Sequence, residues 1–295
     1  MILIIGGSGF LGYFLHQGLT KLGKETHSTF NKNIINEENF HPLDLDDKLA
    51  VMKIIDEKIP DIIIYTAGLT NVDLCEEDNR LAKAINVNGI KNVIEGAKKY
   101  NSKIIYISTS AVFSGKKDEY FEDDKPDPIS FYGKTKLDGE NLVVNSGLKN
   151  LIIRTDQPYG WKKEWHHTNS VLRTLESLGR KEVFREISDW YNTPTYVEDF
   201  VLATNKLIEE EGTGIFHIVG NDFDNRFNFS ETVAEIFGLD SSKIQAIESS
   251  ELNLPAKRSN AKLVSSKIKN YNIIMSNFHD GLKKMRGTSK DNGFE

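Results

Sequence analysis

The feature that most constrains this chain is a set of three evenly spaced glycines near its start. Gly6, Gly9 and Gly12 follow a short apolar run and precede leucines at helical spacing. Glycine at such positions permits a tight turn, close approach of the backbone to a ligand, and tight packing of helix on strand. The N-terminus of the following helix offers free N–H groups to an anion, so the pattern predicts a site for the pyrophosphate of a dinucleotide. The predicted contacts are Gly6, Ser8, Gly9, Phe10, Leu11 and Gly12.

Short β-branched runs alternate with helical patterns through the first half of the chain. The predicted strands are 2–5, 26–30, 62–66, 104–108 and 151–154, and a long helix is predicted at 81–97. Each run is almost continuously apolar, which is typical of a parallel strand buried on both faces. Alternating strands and helices predict an α/β fold, a doubly wound parallel sheet of the Rossmann type.

The alternation becomes looser after about residue 155. We expect residues 1–155 to form the dinucleotide-binding domain, and residues 156–295 to form mainly a smaller C-terminal substrate-binding lobe, with some segments returning to the main sheet. Helices are predicted at 168–178, 196–209 and 230–237, and a strand at 215–219. The final dozen residues are rich in Lys, Gly, Ser and Asp, which predicts a loose tail.

Composition excludes several classes of partner. The formal net charge of the 295 residues is −6, and no basic run exceeds a pair of lysines, which argues against nucleic acid or an anionic membrane surface. The single cysteine, Cys75, excludes an intrachain disulfide and is typical of a reducing compartment. With no apolar stretch of transmembrane length and no signal peptide, we expect a cytoplasmic protein.

The segment after the second strand bears on the choice of dinucleotide. NAD-specific sites place a carboxylate there for the ribose 2′-hydroxyl, but this chain has Asn31 and Lys32. Nothing there repels a 2′-phosphate, and Lys32 can pair with one, unless it is simply a solvated loop lysine. The sequence therefore predicts an NADP site at Asn31 and Lys32, with NADPH favoured over NADH.

A tyrosine and a lysine four residues apart form the second motif. Tyr132 and Lys136 share one face of a predicted helix, where the ammonium is expected to lower the pKa of the phenol. The preceding strand ends in hydroxyl residues that include Thr109. Because the carboxyl ends of parallel strands border the ligand crevice, we expect hydroxyl, phenol and ammonium to converge on a carbonyl beside the nicotinamide.

These motifs make the chain similar to the extended short-chain dehydrogenase/reductases, and most similar to the dTDP-4-dehydrorhamnose reductase family. The resemblance runs from residue 1 to about residue 268. The segments that carry it, besides the glycine turn, are 44–46, 60–61, 70–73 with Glu76, 108–115, 132–140, 193–199 and 255–263.

The resemblance implies a catalytic Thr109, Tyr132 and Lys136. NADPH would deliver a hydride to the C4 ketone of a nucleotide-linked 4-keto-6-deoxy sugar, Tyr132 would donate the proton, and Thr109 would hydrogen-bond the same oxygen. Lys136 would hold the nicotinamide ribose and tune Tyr132. Further implied contacts are Asp44, Leu45, Ala67 and Gly68 with the cofactor, and Thr70, Ser110, Trp161 and Arg258 with the substrate. Arg258 is a candidate clamp for the substrate diphosphate, or else a surface charge.

The chain departs from the family pattern in two places. Ser110 and Ala111 stand where the reductases have an Asp and an aromatic residue, and this sequence is closer to the nucleotide-sugar epimerases. Residues 154–161, with Trp165 and the adjacent His166 and His167, also differ and predict a changed sugar or nucleotide pocket. Adjacent histidines lack the spacing that places two ligands on one helical face, so no metal site is predicted.

Two alternatives to a reductase stay open from the sequence. A nucleotide-sugar 4-epimerase would use the same tyrosine and lysine for reversible oxidation. The regulatory subunit of methionine adenosyltransferase shares the fold and a nearly identical 132–140 segment, yet acts by binding a partner enzyme. A homodimer is expected from the general frequency of such assemblies.

Overall fold

The computed structural model describes residues 1–290 of the chain. Its strands are β1 Ile2–Ile5, β2 Thr26–Phe30, β3 Phe40–Pro42, β4 Ile62–Tyr65, β5 Lys103–Thr109, β6 Asn150–Thr155, β7 Pro158–Tyr159, β8 Phe184–Ile187, β9 Tyr191–Asn192, β10 Thr195–Tyr196, β11 Gly214–His217, β12 Asp224–Asn225 and β13 Ile244–Ile247. Its α-helices are α1 Phe10–Lys21, α2 Lys48–Lys58, α3 Val72–Glu77, α4 Asn79–Lys83, α5 Gly89–Tyr100, α6 Phe131–Val144, α7 Ser170–Gly179, α8 Val197–Glu209, α9 Arg226–Phe237 and α10 Phe278–Gly287.

Seven parallel strands form the main sheet, in the order β3-β2-β1-β4-β5-β6-β11. The predicted doubly wound parallel sheet is confirmed. The strand order reverses between β1 and β4, which opens a crevice at their carboxyl ends where such folds bind ligands. The sequence analysis missed β3, because three residues that include a proline give no strand pattern.

Both faces of this sheet are covered by helices. Along β1, Ile2 and Ile4 pack on one face, and Leu3 and Ile5 pack on the other. Helices α1 and α8 cover the first face, while α2, α5 and α6 cover the second. The continuous apolar runs of the sequence therefore reflect burial on two sides.

The second half of the chain completes the main sheet. Strand β11 pairs with β6 in parallel, and α8 packs against α1. The strand begins one residue before the predicted 215–219 segment and ends at His217. The edge strand of the main sheet and one of its covering helices thus come from residues beyond 155.

The remaining helices of the second half, α7, α9 and α10, share a core of their own. Phe278, Leu282 and Met285 of α10 are buried there. The prediction of a loose tail is therefore wrong from residue 284 to 287, because apolar residues at helical spacing fix α10 despite the polar composition around them. Residues 291–295 of that predicted tail lie outside the described part of the chain. Within residues 1–290, no helix is long and apolar enough to cross a membrane.

Candidate active site

The glycine turn joins β1 to α1 as the spacing predicts. Gly6 has a φ of 92°, and a Cβ there would lie 2.6 Å from the backbone nitrogen of Ala67. A Cβ on Gly12 would lie 2.3 Å from the carbonyl oxygen of Gly6. Gly9 caps α1 with no side-chain hydrogen bond from the described residues, so the first N–H groups of the helix stay available to an anion.

The loop after β4 runs between this turn and the second motif. The Ala67 nitrogen donates to the carbonyl of Ile5 over 3.0 Å. A Cβ on Gly68 would lie 4.0 Å from Lys136 Nζ and 3.1 Å from Asn86 Oδ1. The structure thus brings the glycine turn, Ala67, Gly68 and Lys136 to one crevice, and glycine at positions 6 and 12 permits the close packing that holds the turn there.

Asn86 fixes this loop and was missed by the sequence analysis. Its Oδ1 accepts a hydrogen bond from the Leu69 nitrogen over 2.7 Å, and its Nδ2 donates to Thr135 Oγ1 over 3.0 Å. Asn86 lies in a π-helical turn, Ala84–Asn88, between α4 and α5. The sequence predicts one continuous helix here, because apolar periodicity does not detect such a turn, although π-turns are frequent at functional sites.

The predicted adenosine contacts lie where β2 and β3 end. Asn31 and Lys32 are exposed in the loop after β2, and the Thr29 hydroxyl just before them accepts from the first glycine of the turn over 3.1 Å. Asp44 and Leu45 follow β3 on the same side of the sheet. Their contacts with a cofactor remain predictions.

The three predicted catalytic residues lie at the carboxyl end of β5 and the start of α6. Thr109 is the last residue of β5, and its side chain hydrogen-bonds the Tyr132 hydroxyl. Ser130 caps α6, and this cap sets the position at which Tyr132 enters the site. One helical turn later, Lys136 Nζ donates to the Ile107 carbonyl over 2.7 Å.

The protonation of the pair differs from the sequence-based expectation. Burial raises the pKa of Tyr132 to about 12, and the hydrogen bond from Thr109 only partly lowers it. The prediction of a lowered phenol pKa is therefore wrong for this structure, because the Lys136 ammonium is turned to a backbone carbonyl. Burial also lowers the pKa of Lys136 to about 7, and the charge of Glu140 acts in the opposite direction.

A fully buried ion pair stands behind Lys136. Glu140 accepts two hydrogen bonds from Arg154, from Nε over 2.9 Å and from Nη2 over 2.7 Å, and a third from the Ser108 hydroxyl over 2.5 Å. Removing one partner of such a pair leaves an uncompensated buried charge, which costs about 3–5 kcal/mol. Glu140 belongs to the segment that carries the resemblance, but the sequence analysis gave it no role.

Ser110 has a buried carboxylate as its partner. Its hydroxyl donates to Asp156 Oδ1 over 2.9 Å, and the Thr193 nitrogen donates to Asp156 Oδ2 over 2.8 Å. Burial raises the pKa of Asp156 to about 6. Asp156 directly follows β6, the strand beside β5, so a carboxylate from the neighbouring strand contacts the residue that follows Thr109. The sequence showed Asp156 as a departure from the pattern but could not pair it with Ser110.

Arg258 and Arg226 form a group of cations in the second half of the chain. Arg258 Nη2 is 2.6 Å from Asp73 Oδ2, and its guanidinium stacks on the Trp190 ring at 5.1 Å. The guanidinium of Arg226 lies 4.9 Å from the same ring. The residues lining a small cavity beside Arg226 include Gln157, Asn192, Pro194, Ser230 and Phe278.

The other predicted substrate residues lie apart from this group. Trp161 is buried in the core of the second lobe, where its indole N–H donates to the Met285 carbonyl over 2.8 Å. Its predicted substrate contact is therefore replaced by a structural one, because the turn after β7 directs the ring against α10. Thr70 is exposed in the loop between β4 and α3.

Trp165 and His166 were predicted to alter the sugar or nucleotide pocket. The structure instead places both rings against Tyr13 of α1, beside the glycine turn, and leaves His167 exposed. Within residues 1–290, no three His, Cys, Asp or Glu side chains are grouped to hold a metal ion.

The chain is similar over most of its length to a known protein family, to two characterised relatives and to a solved structure. The model of the RmlD substrate binding domain family matches residues 1–290. The chain is 30% identical to the dTDP-4-dehydrorhamnose reductase of Aggregatibacter actinomycetemcomitans, covering 97% of this chain and 98% of that protein. It is 27% identical to the methionine adenosyltransferase 2 subunit beta of Mus musculus, with 96% and 86% covered. The structure of a Bacillus anthracis dTDP-4-dehydrorhamnose reductase in complex with NADP matches with a TM-score of 0.87 and 27% identity, covering 97% of this chain and 98% of that one.

Proposed function

The chain belongs to the RmlD substrate-binding-domain family, of the extended short-chain dehydrogenase/reductase type, and from this premise we propose that it reduces a nucleotide-linked 4-keto-6-deoxy sugar with NADPH. The observation that carries the proposal is the approach of the Thr109 side chain to the Tyr132 hydroxyl at the carboxyl end of β5, which is close enough to act on the pKa of the phenol. This pair lies on the crevice that the glycine turn and Lys136 border, where a carbonyl beside a dinucleotide would be held.

The residues of the crevice fit a nicotinamide dinucleotide. Uncapped N–H groups at the start of α1 suit the pyrophosphate, and Gly6 and Gly12 permit the tight turn that places these groups at the crevice. Lys136 Nζ is within reach of the Gly68 loop and suits the nicotinamide ribose. NADPH in preference to NADH is supported by Asn31 and Lys32, which leave β2 without a terminal carboxylate.

The side chains then divide the work of reduction. A bound nicotinamide supplies the hydride to the ketone carbon. Tyr132 keeps its proton at neutral pH because its pKa is about 12, so it is available to protonate the oxygen of the reduced ketone. Thr109 holds the Tyr132 hydroxyl and hydrogen-bonds the same substrate oxygen. Lys136 orients the cofactor, and orientation of this kind accounts for much of the rate enhancement.

Substrate recognition would fall to the cation group and the paired hydroxyl. Arg258 and Arg226, both stacked on Trp190, suit the diphosphate of a nucleotide sugar, and Ser110, oriented by Asp156, suits a sugar hydroxyl. Thr70 is a further candidate at the exposed edge of the crevice. We further propose that the enzyme acts in the cytoplasm as a homodimer.

A second candidate function is a partner-binding subunit. It is favoured by the likeness to methionine adenosyltransferase 2 subunit beta over 96% of this chain. Such a subunit would bind the dinucleotide without steady turnover, and it would form a stable complex with a catalytic partner.

The experiment that tests the proposal is a screen of NADPH consumption against dTDP-, GDP- and UDP-linked 4-keto-6-deoxy sugars. Steady loss of nicotinamide absorbance with one of them supports the reductase. Epimerised product with no net change in the cofactor identifies an epimerase. Binding of NADPH with no turnover on the whole panel identifies a binding subunit.

A further inference from the structure

Residues 162–167, which we call the strap, cross from the second lobe onto the first turn of α1. The ring of His166 lies 5.7 Å from the rings of both Phe10 and Tyr13. The Trp165 ring lies 5.5 Å from Tyr13, and Lys163 Nζ lies 5.6 Å from the same ring. The strap therefore covers the helix end that carries the predicted phosphate site, although about 150 residues separate the two in sequence.

His166 presents a buried donor to this helix end. Its side chain is 6% exposed, and its Nδ1 accepts a hydrogen bond from the Lys163 nitrogen over 3.3 Å. The proton of the neutral ring is therefore on Nε2. The backbone of Ser8 in the glycine turn acts on the ring as a hydrogen-bond acceptor and raises its pKa, but that Nε2 makes no hydrogen bond of ordinary geometry within residues 1–290.

An unsatisfied buried donor is uncommon and calls for an explanation. The neighbouring Trp165 has a second one, because its Nε1 is also buried without a partner in the described chain. The His166 donor lies beside the glycine turn, where the N–H groups at the start of α1 also lack a side-chain cap. Donors that converge on one helix N-terminus form a site for an anion.

We propose that His166 donates its Nε2 proton to a phosphate of the bound dinucleotide, so that the strap closes the phosphate site from the side of the second lobe. This inference rests on the proposed binding of a dinucleotide at the glycine turn. It adds a phosphate-binding residue that the glycine motif does not include, and it gives the buried Nε2 a hydrogen-bond acceptor of ordinary geometry.

Two phosphate groups of the ligand share the chemistry that the strap would recognise. The pyrophosphate is common to NADPH and NADH, whereas the 2′-phosphate is present in NADPH alone. Trp165 packs in a cluster with Ile35 and Phe40, near the loop after β2, so the strap extends toward the adenosine side as well. Comparing the two dinucleotides therefore identifies which phosphate His166 contacts.

The test uses the full chain and three variants. His166→Phe keeps a ring but removes the donor, His166→Gln keeps a donor at a similar reach, and His167→Phe changes the exposed neighbour as a matched control. NADPH and NADH are titrated by nicotinamide fluorescence and by calorimetry, without a sugar substrate. We expect His166→Phe to weaken NADPH binding about tenfold or more, as befits a hydrogen bond to a charged group. His166→Gln should recover most of the affinity, and His167→Phe should match the unmodified chain.

The outcomes of these titrations either assign His166 to one of the two phosphate groups or overturn its proposed role. Equal weakening of NADPH and NADH assigns His166 to the pyrophosphate, and weakening of NADPH alone assigns it to the 2′-phosphate. A folded His166→Phe protein that binds both ligands normally overturns the inference, as does a His166→Gln protein that is as weak as His166→Phe. If His166→Phe does not fold, His166→Gln against His166→Leu makes the same comparison. An unmodified chain that binds neither ligand overturns the proposed cofactor and, with it, this inference.

Discussion

The two sides of the crevice are built in different ways. The dinucleotide side consists mostly of backbone: glycines of a turn, the N–H groups of α1 and the loop after β4. The substrate side consists of side chains held by other side chains, as Asp156 holds Ser110 and Asp73 holds Arg258. Backbone contacts suit a cofactor that many enzymes share, whereas paired side chains can change with the substrate. We therefore expect substitutions on the first side to change NADPH affinity, and substitutions on the second side to change turnover or the KM for the sugar.

The largest effect is expected at the point where the two sides meet. Tyr132→Phe removes the proton donor, so turnover should fall by about 10²- to 10⁴-fold. NADPH affinity should stay within about twofold, because the dinucleotide side is built from other groups. NADPH oxidation with a saturating keto sugar and fluorescence titration measure the two quantities. Tyr100→Phe removes a distant phenol hydroxyl and serves as control. Normal turnover in Tyr132→Phe would contradict the assigned role.

Asp156→Asn tests the side of the crevice that is built from side chains, by changing how the stability of the protein depends on pH. The pKa of Asp156 is raised from 3.8 to about 6 in the folded chain, so the folded state binds this proton more tightly than the unfolded state does. The unmodified protein therefore loses stability as pH rises from about 4 through 6, by at most about 3 kcal/mol for two pKa units. Asn does not ionise, so the variant should gain stability relative to the unmodified protein over that range.

Thermal melts of both proteins at pH 4.5, 6 and 8 measure this difference. Glu122 is a buried carboxylate whose pKa is lowered instead, so Glu122→Gln should show the opposite trend with pH. A difference between Asp156→Asn and the unmodified protein that does not change with pH would contradict a raised pKa at this carboxyl.

Gly12→Ala tests the backbone side. Its Cβ would lie 2.3 Å from the Gly6 carbonyl oxygen, so the turn must shift to accept it. Overpacking of this kind costs about 1–3 kcal/mol, and we expect NADPH affinity to fall by about 5- to 150-fold. Gly179→Ala is the control, because its Cβ meets nothing within 4 Å. Calorimetric titration compares the two, and equal affinities would show that the turn tolerates a side chain.

Arg258→Gln should have the smallest effect on stability. Its ion pair with Asp73 is partly exposed, with side chains 20% and 28% accessible, and pairs of this kind contribute at most about 1 kcal/mol. The KM for the nucleotide sugar should rise nevertheless, while NADPH affinity stays constant. Arg185→Gln, which removes an exposed pair with Glu251, provides the comparison in melts and kinetics. An unchanged KM would show that Arg258 does not contribute to binding of the nucleotide sugar.

The same contrast explains what the sequence could and could not predict. The glycine turn could be predicted because Gly6, Gly9 and Gly12 lie within seven residues, and all three positions need a residue without a side chain. The placement of Tyr132 and Lys136 on one face of α6 was readable because helical spacing fixes it. Ser110 and Asp156 are 46 residues apart, and Arg258 and Asp73 are 185 apart, so no local pattern joins them.

Misplaced predictions have the same physical origin. Trp161 resembles a pocket aromatic until α10 is present to bury it, and α10 itself lies in a segment of polar composition. Its helix forms because a few apolar residues dock on the second lobe, which is a tertiary effect. The π-turn at Asn86 likewise depends on packing between α4, α5 and the loop after β4.

Strand β11 has a consequence for how the chain emerges during synthesis. Until residue 209 has been made, the sheet face under α8 is bare, and until residue 217 has been made, the outer edge of β6 has no neighbour. An unpaired apolar edge is a template for association with other chains. A fragment that stops at residue 155 should therefore aggregate rather than persist as a free-standing nucleotide-binding module, and the nascent protein depends on its second half to close the first.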